Sequence, residues 1–293
     1  MPPRKVSAGE GGVLPMLAHT LDDAHRKHAR FPCYSQPKLD GVRMMASLAE
    51  FAGAPPALYS RTGKPFAHLL PYFRGDLAHV AGLMGRCVLD GELYVHGAGF
   101  QTIVSLAKNT KRPPEVGSEL RYHVYDVLLP DDPGAGYDVR LAALAAALPH
   151  GNIVPVETHA VHREAEVQPR LARYEKEGYE GLVLRDRAAP YAAGKRSNAL
   201  LKLKSFSDAE FLVVGVEEAT GKDAGTAVFV CETTAGGPRF RVRPHGTHAE
   251  RAQLLRRAPS DIVGKKQLTV RYQELTDGGV PRFPVGVAVR DYE

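Results

Sequence analysis

The sequence predicts an α+β chain of two domains, and three observations predict it. The 293 residues fit about two domains at ~150 residues each. Up to Phe206, β-type runs are mixed with three helical segments; beyond it, short strands follow one another with a single helix between them. The charge divides at the same place. Residues 1–206 carry 26 basic and 21 acidic side chains, and residues 207–293 carry 12 of each, so the net charge of +5 lies wholly in the first part. The expected layout is a tail over 1–12, a first domain over 13–206 with mostly antiparallel sheets and helices, and a small second domain over 207–293.

In order, residues 1–12 read as a flexible tail. Thr20–His28 reads as a short helix with Thr20 as N-cap and acids in its first turn. Strands are expected at Tyr34–Pro37, Val42–Ser47, Ala57–Ser60, Cys87–Val95 and Arg121–Leu129, punctuated by Pro, Gly and Asp. Arg140–Leu148 and Glu164–Lys176 read as helices, then Gly181–Arg185 and Leu200–Lys204 as strands. In the second domain the strands are Glu210–Glu217, Ala227–Thr233, Phe240–Arg243, Gln267–Leu275 and Val285–Arg290, with a helix at His248–Arg257. Five short strands and one interposed helix is the count of an OB-type barrel.

Composition sets limits. The apolar runs are far shorter than a membrane span, and Met1–Ser7 lacks an apolar signal core, so no membrane partner and an intracellular setting are expected. Cys33, Cys87 and Cys231 are odd in number and far apart, which fits a reducing compartment. Neither the P-loop pattern nor G-x-G-x-x-G occurs, so any use of ATP follows other chemistry. The i, i+3 histidine pairs at 25/28, 159/162 and 245/248 read as surface residues. A basic positive balance permits nucleic acid as partner.

The sharpest signal is Lys38-Leu39-Asp40-Gly41-Val42-Arg43. Alone it admits two readings: a reactive lysine at a strand–turn junction, where Gly41 permits close backbone approach, or an Asp-Gly hairpin with an exposed lysine. Lys202 and Lys204 lie two apart on an expected strand and so share one face. Lys108, Lys111 and Arg112 form a basic loop that either touches phosphates or is a solvated turn.

The hexapeptide resembles motif I of the covalent nucleotidyltransferases, which include ATP-dependent DNA ligases, RNA ligases and mRNA-capping guanylyltransferases. Ser60–Lys64 resembles motif Ia, Leu89–Leu93 motif III, Tyr122–Asp126 motif IIIa, Glu180–Arg185 motif IV, Leu200–Lys204 motif V, and Pro281–Pro284 with Arg290 the ligase form of motif VI. The order is the family's and covers nearly all the chain after residue 30. The resemblance is to the minimal ATP-dependent DNA ligases of viruses, phages and some bacteria. RNA ligation or capping is the alternative within the superfamily, and a non-catalytic nucleic-acid-binding OB module the alternative outside it.

The resemblance implies a role for each residue. Lys38 is the nucleophile that forms a phosphoramidate with AMP, and an amine attacks only when neutral. Asp40, Arg43, Lys202 and Lys204 complete the catalytic set, with cations favouring the neutral amine. Glu92 takes the ribose hydroxyls, and Glu180, with Glu92, is the expected ligand of Mg²⁺ or Mn²⁺. Tyr125, usually Phe in the family, stacks adenine. Gln36, a less usual choice there, reads the base edge. Arg61 reaches a phosphate, and Arg282 and Arg290 orient the pyrophosphate. The expected cofactors are ATP and the divalent ion, and the expected partner is nicked duplex DNA. Glu217–Thr226, where some minimal ligases carry a long latch, is only about ten residues. A monomer is expected, with basic side chains or an accessory DNA-binding partner supplying the grip.

Overall fold

A computed structural model describes residues 13–48, 57–115, 118–276 and 278–290. The tail expected over 1–12 lies outside the described residues. The chain divides into two units, Met1–Leu203 and Lys204–Glu293, the division falling three residues before the one read from the sequence.

The first unit contains β1 (Leu17–Thr20), α1 (Asp23–Arg26), β2 (Cys33–Lys38), β3 (Val42–Ser47), β4 (Ala57–Ser60), α2 (Leu70–Met84), β5 (Val88–Tyr94), α3 (Phe100–Lys108), β6 (Arg121–Leu128), α4 (Tyr137–Ala147), β7 (Ile153–Pro155), β8 (His159–Val161), α5 (Val167–Lys176), β9 (Gly181–Asp186) and β10 (Arg196–Leu203). Two five-stranded sheets result, in the orders β1-β10-β9-β2-β8 and β4-β3-β5-β6-β7. Pairing is antiparallel except for β1 with β10 and β6 with β7.

Period-two alternation decides what each sheet presents. In the first sheet, Cys33, Leu182, Leu184 and Leu201 pack with Val167, Leu171 and Tyr174 from the α5 side. The opposite face carries Gln36, Lys38, Val183 and Lys202, with Gln36, Val183 and Lys202 in one cross-strand row. In the second sheet, Met44, Ala46, Leu89, Leu93, Tyr122 and Val124 join the main core with Phe73, Leu77 and Ile103 from α2 and α3. Met16 and Leu200 meet Met45, Val88 and Leu128 in a smaller apolar layer between the sheets.

The second unit is a closed barrel of β11 (Ser207–Glu218), β12 (Ala227–Glu232), β13 (Arg239–Pro244), β14 (Gln267–Tyr272) and β15 (Val285–Arg290), with α6 (His248–Asp261) between β13 and β14. The OB-type count is met. A capping box of Thr247 and Glu250 starts α6.

Three local expectations change. Thr20 ends β1, and the N-cap of α1 is Asp22, whose carboxylate accepts from the His25 N–H at 3.0 Å. The region between residues 60 and 110 is less strand-rich than expected, because α2 and α3 lie there. Pro71 stands at the start of α2 and Gly75 and Gly82 within it, which weakens its local signal. Lastly, the Asp40-Gly41 turn closes no hairpin: β2 pairs with β8 and β9 in the first sheet, and β3 with β4 and β5 in the second.

Candidate active site

That crossing from sheet to sheet builds the site. Lys38 is the last residue of β2, opposite Gly181 of β9. Its ammonium is ion-paired with the Glu180 carboxylate, and the Glu180 N–H donates to the Lys38 carbonyl at 3.0 Å. Three residues on, Gly41 lies against β5. A Cβ at Gly41 would stand 2.4 Å from the Leu93 carbonyl oxygen and 2.8 Å from Cγ of Glu92. Glycine is required here by close approach, with no left-handed backbone involved.

Arg43 pairs with Glu92 in the β3–β5 register, but its charge goes elsewhere. Its Nε and Nη2 donate to the two Asp90 oxygens at 2.9 and 2.6 Å, and Nη2 also donates to the Met16 carbonyl at 2.8 Å. Tyr191 completes Asp90 from its hydroxyl at 2.6 Å. Burial opposes the guanidinium charge, yet Asp90 raises its pKa above the ordinary arginine value. Arg43 is thus fixed by a fork that matches carboxylate geometry.

Tyr125 owes its position to a bulge. Asp90 pairs with Asp126 and Gly91 with Val124, leaving Tyr125 as the extra residue of β6. A bulge re-aims a side chain, and here the Tyr125 hydroxyl donates to Glu92 at 3.3 Å. The Arg43 and Arg185 guanidinium carbons stand 5.5 and 5.1 Å from its ring centre. Glu92 is half-buried; burial pushes its carboxyl up to about 7, against the pull of Arg43 and Lys38. Lys202 projects from β10 on the Lys38 face. Its ammonium pKa is lowered by burial first, then by the charges of Lys38, Arg196 and Arg61. Arg61 is exposed in the turn after β4, and Asp40 is half-buried beside Lys38 in sequence.

One expectation needs correction. Gln36 does not present its amide as a free base reader. It is 2% exposed; Nε2 donates to the Tyr137 hydroxyl at 2.9 Å, the Thr158 hydroxyl at 2.8 Å and the Tyr125 carbonyl at 3.3 Å, while Oε1 accepts from Arg185 at 2.6 Å. Lys204 follows β10 directly and opens the second unit. Its ammonium donates to the side-chain Oε1 of Gln273 at 2.8 Å and lies 5.9 Å from the Phe283 ring centre, within the second unit. Arg282 and Arg290 also have partners in that unit: Arg282 pairs with Glu274, and Arg290 donates to the Thr269 hydroxyl at 2.7 Å and lies 3.4 Å from Glu210.

Behind the site stands a buried ion network that local sequence patterns do not reveal. Asp126 accepts from Arg140 Nε at 2.7 Å and from Arg185 Nη1 at 2.7 Å, and all three are buried. Asp126 and Arg185 stand inside quoted motifs. Arg140 and Tyr191 carry no local signal, since their partners lie 14 and 101 residues away in sequence.

Of the two carboxylates expected to hold a divalent cation, Glu180 is paired with Lys38 and Glu92 feels the charges of Arg43 and Lys38. Among the described residues no three His, Cys, Asp or Glu side chains gather to form a cage. Two carboxylates fit Mg²⁺, which keeps several waters, better than an ion needing a full set of protein ligands. No described helix is long and apolar enough to cross a membrane.

Comparison with known proteins agrees with this geometry. Residues 15–204 match the model of the ATP dependent DNA ligase domain, and residues 220–290 that of the DNA ligase OB-like domain. A DNA ligase of African swine fever virus is 34% identical over 271 residues, covering 87% of this chain and 63% of the viral protein. A probable DNA ligase of Streptomyces griseus is 31% identical over 234 residues, covering 73% of this chain and 44% of its own. The chain therefore spans less than two thirds of the length of these curated relatives. A solved Lig E DNA ligase superposes with a TM-score of 0.72 at 23% identity, covering 94% of this chain and all of that one. The Chlorella virus DNA ligase-adenylate superposes with a TM-score of 0.51 at 24% identity, covering 96% of this chain and 99% of its own. At these identities the two structures show a shared fold.

Proposed function

The chain belongs to the ATP-dependent DNA ligase family, and from that premise we propose that it seals 5′-phosphate/3′-hydroxyl nicks in duplex DNA. The observation that carries the reading is Lys38 at the joint of the two sheets, paired with Glu180 and on the same face as Lys202. A binding module has no use for a half-buried lysine held this way.

Three transfers make up the reaction. The neutral Lys38 amine attacks the α-phosphorus of ATP; the P–N bond forms as the P–O bond to pyrophosphate breaks. The Lys38 proton faces the Glu180 carboxylate, and the nearby positive charge of Lys202 favours its loss. The 5′-phosphate oxygen of the nick then takes AMP from Lys38, forming a phosphoanhydride and restoring the amine. Finally the 3′-hydroxyl, losing its proton, attacks the phosphorus of the nick's 5′-phosphate; the new P–O bond seals the strand as the anhydride bond to AMP breaks and AMP leaves. Charge builds on phosphoryl oxygens at each step, which suits a site rich in fixed cations. Glu180 and Glu92 would hold Mg²⁺, which supplies positive charge against the phosphates when bound. Glu92 and the Tyr125 hydroxyl form the polar edge proposed for the ribose. A monomer suffices, since every named group comes from one chain.

The test offers the full chain three substrates: nicked DNA with ATP, nicked RNA with ATP, and a diphosphate RNA end with GTP. Sealing of the DNA nick is expected. Preference for nicked RNA would assign an RNA ligase, and guanylylation a capping enzyme.

A further inference from the structure

Behind Arg43, four hydrogen bonds close into a circuit. The Met16 N–H donates to the Tyr191 hydroxyl at 3.1 Å, and that hydroxyl donates to Asp90 Oδ2 at 2.6 Å. The same Oδ2 accepts from Arg43 Nη2 at 2.6 Å, and Nη2 donates again to the Met16 carbonyl at 2.8 Å. The circuit joins four places that are far apart in sequence: the residue before β1, strand β3, strand β5, and the turn between β9 and β10. Met16, Asp90 and Tyr191 are all buried, which makes each bond costly to leave unmade.

Tyr191 is the member of the circuit that comes preset. A phenol has one proton to give, and Asp90 takes it. Burial first, and then the Asp90 charge, hold its pKa well above the ordinary tyrosine value, so the hydroxyl remains a donor. The turn that carries it is fastened on both sides. Arg140 Nη1 donates to the Ala189 carbonyl at 2.9 Å, and the Gly194 N–H donates to the Leu14 carbonyl at 2.9 Å. The terminal torsion of an aspartate is soft. The Tyr191 hydroxyl therefore holds Oδ2 where Arg43 meets it.

What Arg43 touches decides where that hold is felt. Its guanidinium carbon stands 5.5 Å from the Tyr125 ring centre, and the Tyr125 hydroxyl donates to Glu92 at 3.3 Å. Burial raises the Glu92 carboxyl, and the Arg43 charge acts against that rise. Tyr125 and Glu92 are the groups assigned to adenine and ribose. Lys38 is attached separately, through β2 in the other sheet and through Glu180. A displaced Arg43 would thus disturb the nucleoside end of the site and spare the nucleophile.

We propose that Tyr191 is a positioning residue for the nucleoside: its hydroxyl, clamped between Met16 and Asp90, holds Arg43 where it orders Tyr125 and Glu92. The inference rests on the ligase reading and adds to it a residue that stands between the segments resembling motifs IV and V, outside both. It separates two effects. The hydroxyl serves ATP binding and not the attack by Lys38.

The experiment compares the full chain with two variants. Tyr191→Phe keeps the aromatic ring and loses only the hydroxyl. Leu128→Ala thins the same apolar layer without touching the circuit. ATP affinity is measured by equilibrium dialysis without divalent ion, and the rate of lysyl-AMP formation by single-turnover labelling at saturating ATP and Mg²⁺. Tyr191→Phe should weaken ATP binding about tenfold and leave the saturated rate within about twofold of wild type. Leu128→Ala should lower the melting temperature and bind ATP as wild type does. In an Arg43→Lys background, Tyr191→Phe should add less than about twofold, because its effect runs through the fork. Unchanged ATP affinity in Tyr191→Phe overturns the proposal, as does a full further loss in the Arg43→Lys background. An equal loss in Leu128→Ala also overturns it, since the effect would then be one of general stability. A wild-type chain that binds ATP but forms no lysyl-AMP overturns the ligase reading alone, because the affinity series still reads the role of Tyr191.

Discussion

Lys38 and Glu180 are held together twice, side chain to side chain through an ion pair and main chain to main chain through a 3.0 Å hydrogen bond. The backbone bond fixes the distance between the two segments, so the side-chain pair is preset rather than found by chance. Replacing Glu180 by Gln keeps the backbone bond and removes the charge that faces the Lys38 proton. The rate of lysyl-AMP formation should fall about 10²-fold with little loss of stability. Single-turnover labelling beside a denaturant melt checks this, and a rate within twofold of wild type would contradict it.

Gly41 carries the second prediction. Gly41→Ala places a methyl group 2.4 Å from the Leu93 carbonyl oxygen, a backbone atom that cannot rotate away. The turn or β5 must shift, carrying Glu92 with it. A loss of about 1–3 kcal/mol in unfolding free energy is expected, with a raised KM for ATP. Urea titration and labelling kinetics read the two effects separately.

The Arg43–Asp90 fork supplies the third. Asp90→Ala leaves a buried guanidinium without its carboxylate, which costs about 3–5 kcal/mol. Arg43→Lys keeps the charge but loses the two-pronged geometry, so a smaller loss is expected. Asp90→Ala combined with Arg43→Met should cost less than the sum of those two single changes, because the double change leaves no orphaned charge. Four chemical denaturation curves complete that cycle.

A fourth prediction concerns pH. Burial, helped by Arg121 and His96, lowers the His123 imidazole to about 4 from an ordinary value near 6.5. The unfolded chain therefore binds the extra proton first as pH falls. The stability that His123 contributes is fully present above about 6.5 and is lost as pH drops from there toward 4. His123→Phe should flatten the acid decline of the melting temperature in that window. An identical decline in wild type and variant would exclude His123 as its source.

Much of the fold was legible because its signals are local. Strand alternation marked β2, β3, β5, β6 and β9, and in the second unit β15 matches the expected Val285–Arg290 residue for residue. The line of motifs located Lys38, Glu92, Tyr125, Glu180 and Lys202 on segments that converge. What stayed hidden depends on distance or on geometry that no short pattern encodes. The Tyr125 bulge exists only in the pairing of β6 with β5. Gln36 was read from its place two residues before Lys38, whereas its amide is claimed by Arg185, 149 residues away. Helix α2 was missed because its proline and glycines lower local propensity, while Phe73, Leu77 and Val80 anchor it through tertiary burial.

The central claim is that Lys38 becomes covalently attached to AMP. The direct measurement incubates the full chain with α-labelled ATP and Mg²⁺, denatures it, and locates the label by peptide mass. The account predicts one AMP on Lys38, none on Lys38→Ala, and release of the label when nicked duplex DNA is added. Absence of label from wild-type protein that mass measurement shows to be free of AMP, or label on any other residue, would contradict it.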